Sequence, residues 1–101
     1  MRSELSLKRL YRSFNALYFG GELPDAEIRY EPVPAYADCC KADDVFVIRI
    51  NPAIGGWVDF LKLTLLHEMI HVRLWPRTNH GVRFDREVER LMQFKEIRKL
   101  I

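Results

Sequence analysis

The chain has 101 residues, of which 49% are hydrophobic and 30% charged, a balance that is ordinary for a water-soluble globular protein. This length suits one domain with one modest core, so we expect a single domain over residues 1–101. The net charge of +2 is too small to indicate a nucleic-acid partner by itself, and no stretch approaches the roughly 18 apolar residues of a membrane span.

The first predicted element is an amphipathic helix over residues 4–19. Its apolar side chains recur at helical spacing: Leu10, Phe14, Leu17 and Tyr18. Gly20 and Gly21 end the helix, because glycine adopts the left-handed cap conformation at little cost. Pro24 follows and prevents the helix from resuming.

Three short strands are predicted next. The first covers residues 27–31 and is closed by two prolines, the second covers 36–40, and "KADD" (41–44) forms the turn after it. The third, residues 45–50, is β-branched and aromatic and is the clearest strand in the chain. We expect these three strands to form a small antiparallel sheet.

Two helices complete the pattern. The central helix runs from residue 57 or 58 to 75 and is stopped by Pro76. After a four-residue turn, a last helix begins near Gly81 and buries apolar side chains at helical spacing before its end frays: Phe84, Val88 and Leu91. The order helix, sheet, helix, helix predicts an α+β fold.

The two cysteines are adjacent, so Cys39 and Cys40 cannot build a long-range disulfide framework. On a strand they point to opposite faces, one buried and one exposed, and this structural interpretation is favoured over a redox or metal role. The N-terminus lacks the apolar segment of a signal peptide. Together these features predict a cytoplasmic location.

The central helix contains "HEMIH", in which His67 and His71 lie four residues apart. Side chains at this spacing share one helical face, so two imidazoles can reach one metal ion. Glu68 is rotated by about 100° and can hydrogen-bond a metal-bound water without being a ligand. The alternative is a core helix whose histidines bond to backbone carbonyls.

A third ligand is expected from the region after Pro76. The turn brings His80 back towards the face of His67 and His71, and three protein ligands with one open position are typical of catalytic zinc. Glu87 or Glu89 is the rival third ligand, unless these acids pair with neighbouring arginines. The metzincin pattern is excluded, because Leu74 and Arg77 occupy the places of its glycine and third histidine.

Four stretches resemble the SprT-like zinc metalloprotease family, which includes the DNA–protein crosslink protease Spartan. They are "YRSFNALYFGGELP" (11–24), "IRINP" (48–52), "LLHEMIH" (65–71) and "HGVRF" (80–84). The resemblance implies a minimal zincin-like domain, Zn²⁺ held by His67, His71 and His80, and catalysis by Glu68. The C-terminal zinc ribbon of many bacterial relatives is not found within these 101 residues, so DNA recognition by such a ribbon is not implied.

These observations predict a zinc-dependent endopeptidase that uses Glu68 as general base on a protein or peptide substrate. By analogy with zincins, the strand at 45–50 is expected to be an exposed edge that binds this substrate. The oxyanion-stabilising group is left open between Tyr30, Tyr36 and Arg77. The alternative is a zinc-stabilised, non-catalytic DNA- or protein-binding module. Basic residues at both ends of the chain predict at most weak, sequence-independent DNA binding by the terminal helices, and the oligomeric state is not predicted.

Overall fold

The computed structural model describes residues 4–101, apart from the side chain of Leu5. Its elements are α1 (Glu4–Tyr18), β1 (Ala26–Tyr30), β2 (Ala37–Ala42), β3 (Val45–Ile50), a short 3₁₀ turn (Pro52–Ile54), α2 (Val58–Leu74), α3 (Val82–Leu91) and α4 (Lys95–Arg98). The predicted α+β class is confirmed. Arg2, one of the basic residues near the start of the chain, lies outside the described residues. Within the described part, no helix has both the length and the apolar character needed to cross a membrane.

The sheet is mixed, with strand order β1-β3-β2. β2 pairs antiparallel with β3, as predicted, but β1 runs parallel to β3. The tight turn between β2 and β3 places β2 along one side of β3. The segment 31–36 carries the chain from β1 to β2, and β1 lies along the opposite side of β3. β3 is therefore the central strand, and the expectation that it is an exposed edge was wrong. β2 is an edge strand instead.

Residues with positive φ shape two reversals of the chain. Gly20 and Gly21 have φ of 61° and 70° and end α1, as predicted. Asp43 and Asp44 have φ of 51° and 65° and form a two-residue hairpin turn, a conformation that aspartate tolerates better than most residues. Because the turn needs only these two residues, β2 extends to Ala42, two residues further than the sequence predicts.

The core lies between one face of the sheet and the helices. β3 contributes Phe46, Ile48 and Ile50 to this face, and α1 packs on it with Leu7 and Tyr11. The Tyr11 hydroxyl donates to the carbonyl oxygen of Pro24 at 2.7 Å, so this buried phenol is satisfied. The core thus supports α2 from the sheet side.

The C-terminal region differs from the prediction in two ways. Val88 is 39% exposed rather than buried, although Phe84 and Leu91 on the same helical face are buried. The chain after α3 does not fray, because α4 follows and buries Ile97. Arg98 bridges the break between the two helices by donating to two exposed backbone carbonyls.

Candidate metal centre

α2 places the predicted site in the middle of the fold. Its apolar side chains are buried on more than one side of the helix, and the two histidines share one face. His67 and His71 are one helical turn apart on that face, and their ring centroids are 4.9 Å apart. The predicted pair of imidazoles therefore points into one region.

The third histidine returns to the same point. α2 ends at Leu74, and the backbone N–H of Arg77 donates to the carbonyl of Leu74 at 2.9 Å, which turns the chain. His80 then lies beside His71, with 3.0 Å between their Nε2 atoms, while Nε2 of His67 lies 3.3 Å from that of His71. Each ring offers one nitrogen that could bind a metal ion, and these three nitrogens lie within 4.8 Å of one another.

This arrangement fits a tetrahedral zinc ion. Imidazole nitrogens bind zinc at roughly 2.0–2.1 Å, which in a tetrahedral site leaves them about 3.3 Å apart. Burial, together with the neighbouring histidines, lowers the pKa of His67 to about 4, and burial with His80 lowers that of His71. Both rings are therefore neutral at pH 7. A shared cation would satisfy the converging lone pairs at once.

Phe84 of α3 holds the three rings from one side. Its ring centroid lies 4.9 Å from that of His67, 5.1 Å from that of His71 and 4.6 Å from that of His80. Phe84 is itself buried in the core, so α3 supplies a rigid apolar wall behind the cluster. The helical pattern predicted Phe84 as a core residue, but it carried no signal of this contact with the site.

Among the buried residues that the structure describes, Glu68 is the only aspartate, glutamate, lysine or arginine, and 6% of its surface is exposed. Burial, helped by the negative charge of Asp38, raises the pKa of its carboxyl group to about 7. Glu68 lines the same cleft as the three histidines and is not part of their cluster. This is the place that the sequence predicts for a group that assists a metal-bound water.

The rival third ligands lie elsewhere. Glu87 is bound by two arginines, Arg73 of α2 and Arg90 of α3, each 3.1 Å from its Oε1 atom. Glu89 is exposed. Among the described residues, neither belongs to the group of side chains that converge on one point, and the predicted pairing with arginine accounts for Glu87.

The cluster opens into a cleft of about 560 Å³, within the range of ligand-binding clefts. One wall is the edge strand β2 with the residues before it, and the other is the exposed face of α2. Of the three oxyanion candidates, Tyr36 lines this cleft, whereas Tyr30 and Arg77 are not among its described lining residues. Both thiols are free; Cys39 is half-buried and faces the cleft, whereas the prediction had one of the two buried, and Cys40 is exposed, as predicted for the other.

Comparison with known proteins reveals the fold. No protein-family model matches the chain, and no curated protein sequence matches it either. Among solved structures, the chain is similar to the metallopeptidase zymogen abylysin of Pyrococcus abyssi, with a TM-score of 0.69 and 18% sequence identity. The match covers 93% of this chain and 87% of that chain. The chain therefore has the α+β, zincin-like fold of a metallopeptidase, with a histidine triad that could hold a metal ion.

Proposed function

We propose that the protein is a zinc-dependent endopeptidase related to the SprT-like family. His67, His71 and His80 hold the metal, and Glu68 is the general base. The observation that carries this proposal is the position of the buried Glu68 carboxyl in the same cleft as three converging imidazoles. The similarity to a metallopeptidase fold and the four sequence stretches quoted above support it further.

Zinc bound to the three histidines would supply Lewis-acid chemistry, lowering the pKa of a coordinated water to roughly 7 and polarising a peptide carbonyl. Glu68 accepts a proton from the water that attacks the carbonyl carbon. As the C–N bond breaks, Glu68 returns this proton to the departing amine. Because Glu68 is buried, its carboxyl group exchanges protons within the cleft.

The cleft suits an extended polypeptide. β2 pairs with β3 along one side only, so its other side presents backbone groups that an added strand can bond. Residues 35–39 line the cleft beside the histidine cluster. A polypeptide that pairs with this edge passes the metal site with its backbone held straight, which places one peptide bond within reach of Glu68.

The substrate class and the cellular location are part of the same proposal. The resemblance to SprT-like proteases favours protein substrates that are bound or crosslinked to DNA. The adjacent cysteines and the N-terminal sequence favour a cytoplasmic location. The alternative is a zinc-stabilised, non-catalytic module that binds DNA or protein. A structural zinc site usually has four protein ligands and no use for a buried glutamate beside it, which favours the enzyme.

One experiment distinguishes the peptidase from the non-catalytic module. The purified protein is analysed for metal and then incubated with casein, with and without single-stranded DNA, beside the matched Glu68→Gln variant. One equivalent of zinc and casein cleavage by the wild type alone support the peptidase. If both proteins contain zinc and neither cleaves casein, even with DNA, the result would support the non-catalytic module instead.

A further inference from the structure

Three aromatic residues form a cluster beside the cleft, and two of them line it. This rim cluster consists of Tyr36, before β2, and Trp57 and Phe60, at the start of α2. The Tyr36 and Phe60 rings meet edge to face with centroids 4.9 Å apart, and the Trp57 and Phe60 centroids are 6.2 Å apart. The three rings therefore hold one another in place.

The outer rings of the rim cluster face solvent. Tyr36 is 59% exposed and Trp57 is 63% exposed, while Phe60 packs partly against the core. Grouped exposed aromatic rings are unusual on a folded domain and are typical of binding surfaces. The rim cluster thus offers an apolar, rigid surface that a ligand can cover at little cost in side-chain entropy.

The rim cluster is continuous with the metal site. Tyr36 and Phe60 line the same cleft as His67 and Glu68. Phe60 precedes His67 by seven residues on α2, which is about 10 Å along the helix axis. Tyr36 precedes Cys39 by three residues, also about 10 Å of extended chain. A polypeptide in the cleft advances by roughly 3.3 Å per residue, so the cluster lies about three residues from the scissile bond.

The charges around the cleft favour a polypeptide over a nucleic acid. Its described lining includes two acids, Asp38 and Glu68, and no lysine or arginine. The three histidines that line it belong to the cluster that could hold a metal ion. Nucleic-acid binding depends on cations that neutralise phosphates, and this cleft does not provide them.

We propose that the rim cluster is a remote specificity subsite, which binds a large apolar or aromatic side chain of the polypeptide substrate about three residues from the cleaved bond. The subsite rests on the proposed endopeptidase function. Contacts this far from the reacting bond contribute binding energy that orients the bond, so they raise kcat/KM. Peptides too short to reach the cluster are then poor substrates.

The test uses fluorogenic peptides built on a casein site that the zinc-loaded protein cleaves. Phe replaces Ser in turn at each of four positions on either side of the scissile bond. We expect Phe about three residues away, on one side, to raise kcat/KM about tenfold, the worth of a modest apolar contact. The preference should vanish in the Tyr36→Ala/Trp57→Ala double variant. It should persist in Leu17→Ala, which removes an equally exposed apolar side chain from α1.

A binding readout separates this proposal from the peptidase itself. Fluorescence anisotropy measures how the zinc-loaded Glu68→Gln protein binds the labelled Phe and Ser peptides, with and without the double substitution. If the Phe peptide binds more tightly than the Ser peptide, and this difference is lost in the double variant, the subsite is supported even if no peptide is cleaved. Equal kcat/KM and equal binding for the two peptides would overturn the subsite and leave the peptidase intact. Binding of a labelled single-stranded oligonucleotide that is lost in the double variant, with no peptide preference, would also overturn it.

Discussion

The Nε2 atoms of His71 and His80 lie 3.0 Å apart, although the first residue is on α2 and the second follows it by nine positions, after a turn. This contact supports His80 as the third ligand of the proposed zinc site, so His80→Ala should lose most bound zinc. Because a metal that binds only the folded state stabilises it by about 2.7 kcal/mol at 100 times its Kd, the zinc-dependent rise in Tm should also disappear. Metal analysis and thermal melts with and without zinc measure both effects.

Glu87→Ala is the matched control for this experiment. It removes a carboxylate that is bound to Arg73 and Arg90, so we expect a less stable protein that still binds one zinc. Full zinc in His80→Ala together with lost zinc in Glu87→Ala would show that the third ligand is the glutamate.

Glu68→Gln tests the general base. Glutamine keeps the shape of the side chain but cannot accept the proton, so zinc content should be unchanged while casein cleavage falls by about 10²–10⁴-fold. The Tm should change little or rise, because a buried carboxyl group is replaced by a neutral amide. Cleavage at the wild-type rate would remove Glu68 from the mechanism.

Phe84→Leu tests whether the aromatic wall positions the metal ligands. Leucine keeps the site apolar but cannot contact three imidazoles at once, so we expect zinc affinity to fall by roughly 10–100-fold, as for other groups that orient metal ligands. Competition with a chromophoric chelator measures the Kd. Ile28→Val on β1 is the control, because it also removes buried volume and should leave the Kd unchanged. Equal affinities in all three proteins would limit Phe84 to a role in core packing.

We expect the folded protein to lose stability at alkaline pH because of Tyr11. Burial, with the negative charges of Asp25 and Cys39, raises the pKa of Tyr11 above its ordinary value of 10.0. Above pH 10 the phenol ionises in the unfolded chain but not in the folded one, so the free energy of unfolding falls as pH rises, by up to about 1.4 kcal/mol per pH unit. Urea unfolding between pH 8 and 11, with a chelator present, measures this slope.

The Tyr11→Phe variant is the comparison. It should be less stable than the wild type at pH 8 by about 1 kcal/mol, because it loses the hydrogen bond to Pro24. Its slope above pH 10 should be shallower, with the remainder arising from groups such as Cys39, whose pKa burial raises to about 12. Parallel curves for the two proteins would contradict the assignment to Tyr11.

DNA binding should be weak, independent of sequence and steeply dependent on salt. Lys8 is paired with Asp25, and Arg90 with Glu87, so fewer basic side chains are available than the sequence suggests. The exposed basic residues near the two ends of the described chain are Arg9, Arg12, Arg83, Arg86, Lys95, Arg98 and Lys99. Two to four phosphate contacts would give a slope of log K against log salt of about −2 to −4 on duplex DNA.

Fluorescence anisotropy with single- and double-stranded oligonucleotides across a salt series measures this slope. Arg83→Gln/Arg86→Gln should weaken binding, while Lys41→Gln, in a region rich in acids, should not. Tight binding at high salt, or a clear sequence preference, would contradict the prediction. No binding at low salt would mean that the peptidase reaches DNA only through a partner.

The local chemistry of the chain was predictable from its sequence. The glycine pair after α1, the β-branched run of β3 and the stop of α2 before Pro76 act through backbone preferences within a few residues. The pair His67 and His71 follows from helical periodicity, because residues four apart must share a face. These features need no knowledge of what packs against them.

Only the tertiary structure decided which distant residues meet. The direction of β1 and the central place of β3 depend on how the segment 31–36 crosses the sheet, and strand patterns carry no such information. The choice of His80 over Glu87 depends on how α3 docks on α2, since either residue is close enough in sequence. The contact of Phe84 with the histidines and the rim cluster beside the cleft likewise arise from packing between elements, which residue spacing does not encode.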